Sequence, residues 1–162
     1  MTNENVWSGV NLRGVVLALL GITVAVVLVF LVMTLTTASA TPSGGPQVIM
    51  VIDDSFIVLD AMTRFLPIYL PGVQILTHNN CESALTGPSV KVDLIILDND
   101  MPGNMDGPVC LPLLRAKFPS AKIVGQSVDA DAEIAFKKAG ADGFFPKSGS
   151  LKELVKFINN LF

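Results

Sequence analysis

The chain has 162 residues, with 11 basic and 14 acidic side chains, a net charge of −3 and a pI near 5.0. That length holds one ordinary domain plus an appendage. Lys and Arg are scattered rather than striped, which excludes nucleic acid as the main partner.

Apolar residues make up 51% of the chain and the mean hydropathy is +0.58, but the excess is local. After an N-terminal tail, residues 1–13, comes Gly14–Leu35 (GVVLALLGITVAVVLVFLVMTL), which carries no charge. Roughly 22 residues at about 1.5 Å each give about 33 Å, enough to cross a hydrocarbon core, so residues 14–35 are expected to form a single transmembrane helix in a lipid bilayer. Ala38-Ser39-Ala40 mimics a signal-peptidase site, but the run is longer than a signal core and only Arg13 precedes it, so an uncleaved anchor is the expectation. Trp7 suits the interface. Arg13 flanks the anchor on one side, and no Lys or Arg follows until Arg64, a weak charge bias toward an external C-terminal domain. Residues 36–46 (TTASATPSGGP) form a flexible linker.

From residue 47 to 162 apolar runs alternate with amphipathic ones. Strands are expected at Gln47–Ile52, Val73–Thr77, Asp93–Leu97, Lys122–Gly125 and Gly143–Phe145, with Pro146 assigning the last to a sheet edge. Helices are expected at Phe56–Leu66, stopped by Pro67, then at Cys81–Leu85, Val109–Phe118, Asp131–Ala139 and Leu151–Leu161, the last opened by a Ser150–Glu153 capping box. Five βα units imply an α/β doubly wound parallel sheet with helices on both faces. Cys81 and Cys110 fit neither a disulfide framework nor a CxxC pattern and are expected to be small buried or half-buried thiols. The lone His78 has no nucleophile pattern around it and is read as structural.

Ligands in such sheets bind beyond the carboxyl ends of the strands. Those positions hold Asp53-Asp54, Asp98 with Asp100 two residues on, Ser127, and Lys147. Clustered carboxylates repel one another and call for a hard divalent cation such as Mg²⁺. One carboxylate could then attack phosphorus to form an acyl phosphate, with Lys147 and Ser127 stabilising the other phosphoryl oxygens.

The segments IMVIDDS, LIILDNDMPGNMDG and AGADGFFPK resemble the signature segments of bacterial response-regulator receivers, the CheY-like family. The resemblance covers about Gln47 to Phe162. It implies a five-stranded sheet of order 2-1-3-4-5, Asp98 as phospho-acceptor, and Asp53 and Asp54 as the acid pair for Mg²⁺. It further implies metal ligation by the backbone carbonyl of Asp100, Ser127 as switch hydroxyl, Lys147 as phosphate contact and Phe144 as aromatic switch. The sequence departs from the family in an extra residue at Asn104, a trimmed segment between Ser127 and Lys147, Ser148 in place of the usual proline, and a very short second helix.

The reading favoured is a receiver in a bacterial inner membrane that signals by protein contact without an output domain. Its partner is a histidine kinase or phosphotransfer protein, and its only chemistry is self-phosphorylation and autodephosphorylation. Receiver chemistry places the domain in the cytoplasm, against the charge bias. The alternative is a receiver-fold subunit of a larger integral-membrane complex, respiratory or photosynthetic, with phosphorylation lost. A nucleotide- or flavin-binding protein is disfavoured, because Asp-Asp-Ser stands where a glycine-rich phosphate loop would follow the first strand.

Overall fold

The computed structural model describes residues 44–103 and 105–162. The tail, the transmembrane helix expected at 14–35, most of the linker and Asn104 lie outside the described residues. Among the described residues no helix is long and apolar enough to cross a membrane.

Strands β1 (Val48–Ile52), β2 (Gln74–His78), β3 (Leu94–Asp98), β4 (Lys122–Ser127) and β5 (Gly143–Pro146) alternate with helices α1 (Phe56–Tyr69), α2 (Cys81–Thr86), α3 (Gly107–Lys117), α4 (Ala132–Ala139) and α5 (Leu151–Leu161). The strands form one parallel sheet of order β2-β1-β3-β4-β5. β3, in the middle, is buried along its whole length, which is why Leu94–Leu97 reads as an unbroken apolar run. Successive side chains serve opposite faces. Met50, Ile52, Ile95 and Leu97 pack with Leu111, Leu114 and Phe136 on one side. Ile49, Val51, Leu94 and Ile96 pack with Leu66, Leu154 and Ile158 on the other. Burying each such side chain contributes roughly 1.5–3 kcal/mol.

Several boundaries depart from expectation. α1 runs through Pro67 to Tyr69. A proline near the end of a long helix forfeits a single backbone bond, while Leu66 is fully buried and its carbonyl still accepts from the Leu70 N–H at 2.8 Å. β4 extends past Gly125 to Ser127, because its register against β3 continues through Asp98 and Gln126. Pro146 closes β5 at the sheet edge, as its missing N–H requires. The capping box is present: the Ser150 hydroxyl accepts from the Glu153 N–H, and the Glu153 carboxylate accepts from the Ser150 N–H at 2.7 Å.

The expectation of unpaired thiols is overturned. Cys81 and Cys110 are both fully buried, as expected, but joined in a disulfide with a Cα–Cα distance of 6.0 Å. Neither spacing nor composition carries this pairing. It arises because α2 and α3 lie on the same face of the sheet and both cysteines stand in first turns. Closing a loop of 29 residues removes unfolded-state entropy worth about 3–4 kcal/mol. Reduction is therefore expected to lower the unfolding free energy by about that amount, read from urea denaturation with and without a thiol reductant.

At the opposite end of the sheet, Asp93 ties down the start of β1. Its Oδ2 accepts from the Gln47 and Val48 N–H groups at 2.9 and 3.0 Å. Burial pushes the Asp93 carboxyl up, but these two donors and Lys91 outweigh it and hold the group below the usual carboxylate range. A depressed folded pKa gives stability that is present above the unfolded value of about 3.9 and lost as pH falls through the folded one. Asp93→Ala should cost about 1–3 kcal/mol at neutral pH, and the gap between variant and wild type should shrink below about pH 3.9. Urea midpoints measured across that range check both.

Candidate functional site

Four strands deliver polar side chains to one end of the sheet. Asp53 follows β1 directly, Asp98 and Ser127 are the last residues of β3 and β4, and Lys147 follows β5. Three backbone bonds hold this end in register. The Asp53 N–H donates to the His78 carbonyl (3.1 Å), the Asn99 N–H to the Gln126 carbonyl (2.9 Å), and the Lys147 N–H to the Ser127 carbonyl (2.8 Å).

Asp53, Asp54 and Asp98 each place a carboxylate oxygen within 4.8 Å of the others, with Asp53 and Asp98 buried and Asp54 exposed. Lys147 Nζ pairs with Asp53 Oδ2 at 2.8 Å and with Asp98 Oδ1 at 2.9 Å. Asp98 Oδ1 also accepts from the Asn99 N–H at 2.7 Å, so both hydrogen bonds fall on one oxygen and leave Oδ2 for a reacting atom. Asp53 Oδ1 accepts from the Ser55 N–H at 2.9 Å.

The electrostatics follow from charge count. Burial pushes the Asp98 carboxyl above its ordinary value; Lys147 opposes this, and the neighbouring Asp53 charge adds to it. For Lys147, burial works to lower the pKa, but hydrogen bonds and attraction to Asp53 and Asp98 win and hold the ammonium above its usual range. The site thus carries three carboxylates against one ammonium. An all-oxygen donor set with surplus negative charge fits a hard divalent cation such as Mg²⁺.

The structure brings Asp53, Asp54, Asp98 and Lys147 together as the sequence reading expected. Ser127 stands at the same sheet end, buried, and its Oγ accepts from the Asp129 N–H at 3.0 Å, leaving the hydroxyl proton to donate. The Asp100 carboxylate is not one of the three that converge; it accepts from the Asn99 side-chain amide at 2.9 Å. Phe144 is half-buried and packs on Phe136 with ring centroids 6.0 Å apart.

Two framing residues escaped the sequence reading. Gly107 begins α3 against the Asp98 backbone: its N–H donates to the Asn99 carbonyl (2.9 Å), and a side chain there would run into the Asp98 carbonyl oxygen and the Phe136 ring. Phe136, fully buried, also fills the space left by Gly125, where any side chain would overlap the ring. A glycine at the first position of a helix is the only signal that could have pointed to such a close approach.

Comparison with known proteins agrees with this geometry. The family model described as the response regulator receiver domain matches residues 49–159. A protein-glutamate methylesterase/protein-glutamine glutaminase of Rhodospirillum centenum is 36% identical over 128 residues, covering 74% of this chain and 32% of its own length. The response regulator GacA of Pseudomonas aeruginosa is 30% identical over 118 residues, covering 70% of this chain and 54% of its own length. The chain therefore spans about a third of the methylesterase and about half of GacA. Among solved structures, the response regulator TrrA of Thermotoga maritima in complex with Mg²⁺-BeF is 28% identical with a TM-score of 0.62, covering 72% of this chain and 99% of its own. With its sheet order, its acidic strand ends and residues 49–159 all in agreement, the chain belongs to the response regulator receiver family.

Proposed function

We propose that the domain is a phospho-acceptor that takes a phosphoryl group on Asp98 from a histidine kinase or phosphotransfer protein. The observation that carries this reading is the pairing of Lys147 with both buried carboxylates beside an Asp98 Oδ2 that is left open. Asp53, Asp54 and Asp98, with the backbone carbonyl of Asp100, would hold Mg²⁺, which when bound neutralises the carboxylates and draws charge from the phosphoryl oxygens. Asp98 Oδ2 attacks phosphorus; the bond to the donor atom breaks and its electron pair leaves with the donor. Lys147 pairs with one phosphoryl oxygen as its ion pair to Asp98 is released, and the Ser127 hydroxyl donates to another. Phe144 then responds as the aromatic switch, and the signal passes as a shift between two domain states read by contact.

α1 offers a surface for the donor's approach. Phe56 and Ile57 follow Asp53-Asp54-Ser55 immediately and are 77% and 79% exposed, and Phe65 and Ile68 continue the exposed apolar face. An exposed apolar stripe beside an acceptor marks a protein contact. Residues 14–35, by their composition, would hold the domain at a bilayer and raise its local concentration toward membrane-bound partners. Phosphodonors are found in the cytoplasm, which supports a cytoplasmic position for the domain.

In the absence of divalent ions, Asp98→Asn should stabilise the protein by about 1 kcal/mol, because it removes one of three mutually repelling charges. Mg²⁺ at about ten times its dissociation constant should stabilise the wild type by about 1.4 kcal/mol and the variant by less. Thermal melts in a chelator and in Mg²⁺ check both.

With Mg²⁺ and acetyl phosphate, the full-length chain in detergent should acquire a single phosphoryl adduct by intact mass. Asp98→Asn should abolish it and Lys147→Met should leave it much reduced. A folded wild type that takes up no phosphoryl group would overturn the acceptor reading and favour a structural subunit of a membrane complex.

A further inference from the structure

We propose that Cys81 and Cys110 are a reversible redox modification site whose oxidation clamps the loop carrying the acceptor aspartate. The consequence for phosphorylation rests on the reading above; the clamp itself does not.

α2 has six residues, too few to persist without outside support. It is fastened to α3 at both ends. At the carboxyl ends, Lys117 Nζ, from the last residue of α3, donates to the Ala84, Leu85 and Gly87 carbonyls at 2.6–3.1 Å. At the amino ends the fastening between the two helices is the Cys81–Cys110 bridge. The two fastenings differ in kind: one is a set of hydrogen bonds that no redox agent touches, and the other is a covalent bond that a thiol can open.

The redox-sensitive end is the end that faces the site. Of the loop between β3 and α3, residues 99–103 and 105–106 are described, and α3 begins at Gly107, three residues before Cys110. The stem of the loop is closed by the Gly107 N–H on the Asn99 carbonyl and by contact of Gly107 with the Asp98 carbonyl. Its outer edge, at Gly103, lies beside the carboxylate of Glu82, the neighbour of Cys81. The bridge therefore joins the two helix starts that flank the loop. Reduction releases these starts while Lys117 keeps the far ends together, so loosening is confined to the acceptor side. A clamped loop presents Asp98 with less ordering left to be done during attack, so the oxidised form is the faster acceptor.

Both cysteines are fully buried, so exchange waits on opening of the short α2. A glutathione thiolate attacks one cysteine sulfur; the bridge breaks and the other cysteine leaves as a thiolate that takes up a proton. A second glutathione thiolate then attacks the glutathione sulfur of the mixed disulfide, releasing glutathione disulfide and the second cysteine thiolate, which is protonated in turn. Two electrons pass from the glutathione pair to the protein, and glutathione disulfide reverses the reaction. In a reducing compartment, bridges of this sort are transient and regulatory.

The test uses the full-length chain in detergent, equilibrated with glutathione or with glutathione disulfide. Alkylation and mass count free thiols; hydrogen exchange reports residues 99–110 and 113–117; acetyl phosphate with Mg²⁺ reports the acceptor. Two alkylated cysteines are expected in the reduced form and none in the oxidised. On reduction, exchange in 99–110 should rise about tenfold with 113–117 little changed, and phosphorylation should slow about threefold or more. Cys81→Ala/Cys110→Ala should match the reduced wild type in both buffers, which separates bridge loss from other effects of the thiol. Cysteines that stay alkylatable at every glutathione ratio, equal exchange of 99–110 in both states, or a double variant that matches the oxidised form would each overturn the clamp. Exchange that differs with no phosphoryl adduct in either state upholds the clamp and overturns the acceptor reading instead.

Discussion

Three carboxylates and one ammonium share a space a few ångströms across at one end of the sheet. Asp53 and Asp98 are carried by adjacent strands, and the parallel pairing that stacks Ile52 beside Leu97 leaves the next residues of both strands no way to separate. Their repulsion is offset by Lys147, which comes from the far edge of the sheet and reaches across β4 to meet them. Much of the rest serves this arrangement. β5 has to end where it does for the lysine to arrive, and the Lys147 N–H on the Ser127 carbonyl sets that point. The site carries more carboxylate than ammonium charge, a donor set of the kind that suits a hard divalent cation.

The fold was legible because buried parallel strands write themselves as continuous apolar runs. Leu94–Leu97 and Val48–Ile52 could hardly be read otherwise, and Ser150–Glu153 announced the last helix through a local hydrogen-bond pattern. One helix boundary was misplaced by a single local signal. At Pro67 the proline signals a stop, yet the helix continues to Tyr69, since a proline this close to a helix end forfeits a single backbone bond. The acidic and basic strand ends were legible for the same reason the strands were, since a strand's last residue in such a sheet points to a known place.

What the sequence concealed is everything that depends on two helices meeting. The 29-residue separation of Cys81 and Cys110 says nothing about which face their helices choose. Lys117 reads as an ordinary surface lysine, yet it satisfies three carbonyls at the end of α2. Gly107 and Gly125 do not reveal in the sequence that neighbouring atoms crowd against both. The family resemblance gives Asp100 a role through its backbone carbonyl but does not show where its carboxylate goes, which is to the side-chain amide of its neighbour Asn99.

Phe136 sits in a socket. Gly107 on one helix and Gly125 on a strand both lack side chains where the ring lies, and Phe144 rests on its remaining face. Close-packed interiors do not deform smoothly. For α4 to change position, the ring has to come out of its slot or stay fully in, because a partial withdrawal leaves a void on one side and overlap on the other. The Phe136 ring thus ties the position of α4 to the backbone of α3 at Gly107 and of β4 at Gly125.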